Sequence, residues 1–496
     1  MPSQPSGNSG GTDIPMPVLD EPREHCGVFA AWGAPNPARL AYYALFALQH
    51  RGQESAGIVA TDGERLHRHS DMGLVANVFA NEHLEELDAV AASRDGTPGG
   101  VIAHNRYSTT GVSSAENAQP FVGQFAAGAL AIAHNGNLTN AHVLRRELEE
   151  AGAAFHATSD TEVVLHVIAH EAARGAPDPL ASAMERLEGA FCFVLLSRDR
   201  VEVARDRHGW RPLVLGRTSD GAPVVASETV ALDVIGATYE REIEPGEIVT
   251  LNDDGVSSRR FAEPSPRLAH CVFEHVYFAS PASRVFGSTV QLIREKLGET
   301  LWDEAPVAAD IVLPMPDSGR SSATGFARAS GYPYREGIIP NRYVGRTFIK
   351  PTDEERVSAV RLKLNVIAEI VRDKRIVVVD DSVVRGTTTR AKMDQLRKAG
   401  AKEIHLRISC PPIRHACYFG VDFPDVQQLV ATGRTTEQIR ALLGVDSLAY
   451  LSLDGLLRCV GNADVPADRY CTACYSGDYP IAVDPSLRKE VLAKNC

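Results

Sequence analysis

VVVDDSVVRGTTTR, residues 377–390, decides the fold of the second half of the chain. With Ile376 ahead of them, Val377, Val378 and Val379 form a β-branched run that favours a buried strand and delivers Asp380 and Asp381 to its carboxyl end. Ligands of open α/β sheets bind at that end. Arg385-Gly386-Thr387-Thr388-Thr389 then leads into a helix. The glycine permits close backbone approach, the threonines supply hydroxyls, and the helix N-terminus offers N–H groups to an anion. Acids followed by such a cradle suit a phosphorylated sugar, the acids on ribose hydroxyls or a metal and the loop on phosphate. A solvated turn accounts for two adjacent acids, but not for the whole ordered string.

Outward from this loop, the helix ends at Gly400 and KEIHLRIS is a further strand, so the unit reads βαβ and predicts a parallel sheet with a right-handed crossover. DIVLPMPDSG (310–319) and the helical SSATGFARASG (321–331) continue the alternation upstream, and FAEPSPR (261–267) has linker composition. Before the linker the pattern is different. CGVFAAWG (26–33) reads as a strand, residues 38–49 as a helix, and QHRGQESAG (49–57) returns to a strand. VIAHNRYSTTG (101–111) and ALAIAHNGNLTN (129–140) read as strand-to-turn units, each running apolar residues into a polar cluster that starts His-Asn, with Asn135-Gly136 by itself a turn. Ser159 and Glu162 fit a capping box on the helix that follows. Four segments between 190 and 228 read as a run of antiparallel strands. The first half is thus a layered α and β sandwich rather than a repeated βαβ array.

The 496 residues suffice for two or three domains with large cores. Lys and Arg number 51 against 63 Asp and Glu, and the net charge of −12 disfavours general nucleic-acid binding. No run of about 18 apolar residues predicts a membrane span. Nine cysteines, an odd and sparse number, do not make a secreted disulfide scaffold, so the expected setting is cytoplasmic. Residues 1–25 are rich in Pro, Gly and Ser and lack the basic start and apolar middle of a signal peptide; they read as a core-free tail or a removable leader. Cys471-Thr-Ala-Cys474 is, by spacing alone, ambiguous among zinc, a redox pair and iron–sulfur ligation.

The 377–390 string resembles the ribose-phosphate loop of type I phosphoribosyltransferases. Taken with CGVFAAWG, QHRGQES, HNGNLTN, SDTE and NRYVGRTFI (341–349), the chain is similar to the glutamine phosphoribosylpyrophosphate amidotransferase family across residues 26–480. The resemblance implies a propeptide (1–25), an αββα N-terminal-nucleophile glutaminase domain (26–262) and a type I phosphoribosyltransferase domain with a parallel sheet (263–496). It implies Cys26 as nucleophile, its freed α-amine as base, and Asn135 and Gly136 as oxyanion hole. Arg106 would hold the α-carboxylate of glutamine and Asp160 its α-amino group, with Arg51 a lesser candidate in the same pocket. Phosphoribosylpyrophosphate would lie against Asp380, Asp381, Ser382, Arg385, Gly386, Thr387, Thr388 and Thr389, under a loop carrying Arg342, Tyr343 and Arg346. One Mg²⁺ per subunit would be held by Ser318, Asp380 and Asp381. One [4Fe–4S] cluster per subunit would be held by Cys271, Cys417, Cys471 and Cys474, with zinc the main alternative for four thiolates. The implied reaction, the first committed step of purine synthesis, converts glutamine, phosphoribosylpyrophosphate and water to phosphoribosylamine, glutamate and pyrophosphate. Purine nucleotides as feedback inhibitors and a homodimer or homotetramer complete the expectation. A non-catalytic phosphoribosylpyrophosphate-binding regulator has no use for Cys26 with Arg106, Asn135 and Asp160. A class II amidotransferase with another acceptor has none for the 377–390 loop.

Overall fold

The strands that carry the expected glutaminase residues belong to two facing antiparallel sheets. The structure, a computed structural model, describes residues 26–94, 96, 98–107, 113–126, 128–341, 364–421, 426–484 and 492. In the seven-stranded sheet Gly27–Ala31 lies between Pro223–Ala226 and Val101–Arg106, and Ser55–Thr61 pairs beyond the latter. In the six-stranded sheet Gly128–Leu138 pairs with Gly189–Leu196. The four segments read as one antiparallel run divide between the sheets. Gly189–Leu196 and Val201–Arg205 join the six-stranded sheet, whereas Val214–Arg217 and Pro223–Ala226 join the other.

Alternation along the strands builds the layers, because successive side chains take opposite faces. Val28, Ala30, Ile102, Ala131 and Ala133 fill the space between the sheets. Phe29, Ala31, Val101 and Ala103 face outward onto the helices Pro37–Ala47 and Asn81–Ala92, which supply Ala41, Leu45, Leu84 and Leu87. On the far side Ile132, Phe191 and Phe193 pack against Asp160–Ala173 and its neighbouring helices. This is the expected αββα sandwich.

A four-stranded parallel sheet organises the second half, in the order Ile311–Pro314, Arg375–Asp380, Glu403–Ile408, Ser447–Tyr450. Ile311–Pro314 and Arg375–Asp380 are apolar on both faces, as buried parallel strands are, whereas Glu403–Ile408 alternates Ile404, Leu406 and Ile408 with Glu403, His405 and Arg407. The fold is therefore mixed α/β, in two parts. No helix among the described residues is long and apolar enough to cross a membrane.

Candidate functional site

Cys26, one residue ahead of its strand, shares the parity of Val28 and Ala30, so it faces the layer between the sheets; Arg106 and Asn135 reach the same layer by the parity of Ile102 and Ala133. The Cys26 thiol is buried, with Sγ 3.4 Å from the Tyr107 carbonyl. Burial pushes it up to about 11, only partly offset by that contact and the Arg106 guanidinium. Such a thiol rests protonated at neutral pH and needs a base. Arg106 is itself buried, with Nη1 3.6 Å from the Glu54 carboxylate. Asp160 opens the helix Asp160–Ala173; its Oδ2 accepts from the Leu138 N–H at 3.0 Å and its Oδ1 lies 3.5 Å from His134 Nδ1. Burial works to raise the Asp160 carboxyl, but His134 and the Leu138 N–H outweigh it and hold the group below its ordinary range. A cation and an anion thus sit near one thiol, as an amino-acid substrate requires.

Asn135 is fully buried, and among the described residues neither its amide nitrogen nor its oxygen has a hydrogen-bond partner. An orphaned buried group costs about 1–3 kcal/mol, and buried polar atoms are normally paired. The Asn135 amide is therefore a buried donor with no acceptor among the described residues.

Three local expectations are corrected. Asn135 and Gly136 lie within the strand Gly128–Leu138 rather than in a turn beyond it. The capping box does not close: Ser159 accepts from the Thr161 N–H, while Glu162 turns back to the N–H groups of His156 and Ala157. Arg51 is the third. Its buried guanidinium is clamped by Glu228 through Nε and by Glu274 at 2.5 Å through Nη2, so both its edges are committed to carboxylates.

In the second half Asp380 ends the strand Arg375–Asp380 and Asp381 follows it, both buried. Burial, and for Asp380 the repulsion of its neighbour, raise both carboxyls. Asp381 accepts from the Ser382 hydroxyl at 2.6 Å and from the Ser318 hydroxyl, so Ser318, in the loop after Ile311–Pro314, meets the acid pair. Gly386 (φ 83°) then turns the chain into the helix Thr387–Lys398, which has no side-chain cap and no acid in its first turn. Thr387 is exposed, Thr388 and Arg385 are half-buried, and Thr389 is buried. Arg342, Tyr343 and Arg346 lie outside the described residues.

Cys271, Cys417, Cys471 and Cys474 line one small cavity with Trp210, Arg211, Phe273 and Phe419. Cys271 and Cys471 are paired across the parallel strands His270–Cys271 and Tyr470–Cys471. Among the described residues no group of three or more His, Cys, Asp or Glu could hold a metal ion. Burial pushes Cys271 up to about 11 and Cys471 up to about 12. Cys192, Cys410 and Cys459 are buried elsewhere. Cys496 lies outside the described residues.

Residues 104–234 match the glutamine amidotransferase domain family. The chain is 46% identical over 482 residues to the amidophosphoribosyltransferase of Methanothermobacter thermautotrophicus, covering 96% of this chain and 98% of that protein. It is 44% identical over 478 residues to the Bacillus subtilis amidophosphoribosyltransferase, covering 95% and 98%. The chain belongs to the amidophosphoribosyltransferases. The solved Bacillus subtilis glutamine phosphoribosylpyrophosphate amidotransferase, complexed with ADP and GMP, superposes with a TM-score of 0.85 at 42% identity, covering 94% of this chain and all of that one. A solved allosteric regulatory enzyme of purine biosynthesis gives 0.86 at 44% identity, covering 93% and 97%. The amidophosphoribosyltransferase reaction, a glutamine-dependent pentosyl transfer at the start of purine synthesis, prevails over a regulator or another acceptor.

Other residues bear on an amidophosphoribosyltransferase site that sequence reading did not single out. Asn105 accepts from the Gly27 N–H at 2.9 Å and donates to the Leu48 carbonyl at 2.7 Å, fastening the start of the Cys26 strand to the end of the helix that follows it. Glu54 and His134 are the immediate partners of Arg106 and Asp160. All three stand in motifs quoted above, but a partner 26 to 78 positions away leaves no mark on local spacing.

Proposed function

We propose that residues 1–25 are a propeptide, that Cys26 in the 26–262 domain hydrolyses glutamine, and that the freed ammonia passes to phosphoribosylpyrophosphate in the 263–496 domain. The α-amine released by cleavage after His25 would take the thiol proton, since with an ordinary value of about 7.7–8 a substantial fraction of it is free base near neutral pH. Arg106 and Asp160 would hold the α-carboxylate and α-amino group of glutamine, and Asn135 with the Gly136 N–H would stabilise the tetrahedral oxyanion. The observation that carries this reading is the orphaned Asn135 amide in the same layer as Cys26. At the second site Asp380 and Asp381 would bind the ribose hydroxyls, with Ser382 alongside. Arg385, Gly386, Thr387, Thr388 and Thr389 would take the 5-phosphate. Arg342, Tyr343 and Arg346 would close over the substrate and exclude water. Ser318, Asp380 and Asp381 fit one Mg²⁺, which keeps few protein ligands and would screen the departing pyrophosphate. The proposal extends to a cytoplasmic homodimer or homotetramer inhibited by purine nucleotides. Its test is a product assay in which glutamate and pyrophosphate are measured together. Equal amounts are expected, with glutamine hydrolysis rising when phosphoribosylpyrophosphate is added. A rate of hydrolysis indifferent to that substrate would overturn the coupling.

Four cysteines lining one cavity suit one [4Fe–4S] cluster per subunit, whose thiolates each bind a separate iron, with zinc the main alternative for four thiolates. Its role would be structural: ligands from residue 271 to residue 474 tie the start of the second half to its end, so metal binding adds folding free energy. Anaerobically purified protein is expected to be brown, with about four irons per chain. Colourless, fully active protein holding one zinc would sink the assignment.

A further inference from the structure

Gly136 presents a physical difficulty. A Cβ there would lie 2.0 Å from the Ala190 carbonyl, and its φ of 150° suits glycine, so no other residue fits. Yet glycine has the widest backbone freedom, and an oxyanion donor must be held in one orientation. Strand pairing with Phe191 restrains Gly136 from one side, and the other half of the chain adds a second restraint. Asn137, the next residue, donates its side-chain amide to the Tyr418 carbonyl at 2.9 Å. Gly420, at φ 101°, packs against Gly136 so closely that a Cβ there would be 3.2 Å from the Gly136 carbonyl carbon.

The turn that makes these contacts is itself fixed from outside. Arg211 Nη2 donates to the Phe419 carbonyl at 2.7 Å, and the Tyr479 hydroxyl donates to the Ala416 carbonyl at 2.7 Å. Phe419 stacks on Trp210, ring centroids 4.5 Å apart, in an apolar cluster that includes Ala190. The turn carries Cys417, so one wall of the cysteine cavity and the support of Gly136 are the same piece of backbone.

We infer that the 416–420 turn positions the oxyanion hole of the glutaminase site across the boundary between the halves, with Asn137 and Gly420 as positioning residues. This deepens the oxyanion reading of Asn135 and Gly136 and rests on it. Neither residue touches substrate; each acts through the backbone at Gly136. The second half therefore completes the first half's active site.

The test compares Asn135→Ala, Asn137→Asp and Gly420→Ala in the full chain. Asn137→Asp keeps size but replaces the donor facing the Tyr418 carbonyl with an acceptor, and Gly420→Ala disturbs the same contact from the other side. For both, kcat with glutamine is expected to fall about ten- to a hundredfold, because small misplacement of a reacting geometry has effects of that order. KM for glutamine should hold, since Arg106 and Asp160 are untouched, and ammonia-dependent transfer should be unchanged, reporting an intact fold. If Asn135→Ala lowers glutamine turnover and the other two variants do not, the positioning role is wrong while the oxyanion reading stands. If Asn135→Ala leaves turnover unchanged, the oxyanion reading itself fails. Equal loss of glutamine- and ammonia-dependent rates with a lowered Tm in both positioning variants would show a merely structural contact and overturn the inference.

Discussion

Cys26→Ala is expected to lower glutamine-dependent synthesis by at least about three orders of magnitude, the scale on which removing a covalent nucleophile acts. Ammonia-dependent synthesis should persist, because Asp380 and Asp381, proposed for the transferase site, lie at the end of a different sheet. The wild-type chain should have a mass corresponding to a start at Cys26. Full-length protein with normal glutamine turnover would refute both the nucleophile and its unmasking. A pH profile adds a second readout. With the thiol pushed up to about 11 by burial, thiolate is scarce at neutral pH, and the rate should follow deprotonation of the α-amine. An ascending limb centred near 11 would instead mean that the thiol ionises unaided.

The double variant Asp380→Asn, Asp381→Asn is expected to remove nearly all phosphoribosyl transfer while basal glutamine hydrolysis survives. Each carboxylate lost from a charged hydrogen bond is worth about 1.5–3 kcal/mol, so two amount to a hundredfold loss or more in kcat/KM for phosphoribosylpyrophosphate. Magnesium dependence should weaken with it, since amides replace the preferred anionic oxygens. Because burial raises both acids and the charge of Asp381 adds to the rise of Asp380, the free site takes up a proton as pH falls, above the usual carboxylate value of about 3.9. Metal-bound substrate competes with that proton, so affinity should fall on the acid side at a higher pH than for an exposed aspartate pair. An affinity flat through that range would show the pair already ionised. Loss of both activities with the fold preserved would place these acids in shared machinery rather than in the transferase site alone.

Much of the design is visible in one dimension because its causes are local. Strand Arg375–Asp380, the glycine turn at Gly386 and the helix Thr387–Lys398 follow from a β-branched run, a residue free to take positive φ and a string of helix-compatible residues. The change of pattern around 261–267 separates antiparallel from parallel architecture for the same reason: period-2 alternation and βαβ order are properties of neighbouring residues. The family resemblance that those motifs carry implied both chemistries and the four cysteines that line one cavity.

The rest required the third dimension. Whether Arg51 serves substrate or structure depended on Glu228 and Glu274, which reach it from 177 and 223 positions away. The capping box failed because Glu162 found backbone donors at 156 and 157, a competition that spacing alone does not rank. Likewise the assignment of strands between 189 and 226 to two different sheets depends on burial of both faces, which the alternation of one strand cannot specify. The sequence by itself determined which residues could do chemistry, since side-chain type and local backbone preference are intrinsic to each position. Only the tertiary structure decided which of them meet. The thiol–cation–anion grouping at Cys26 and the contact of Gly420 with Gly136 arise from long-range packing, and its energy has no counterpart in any local segment.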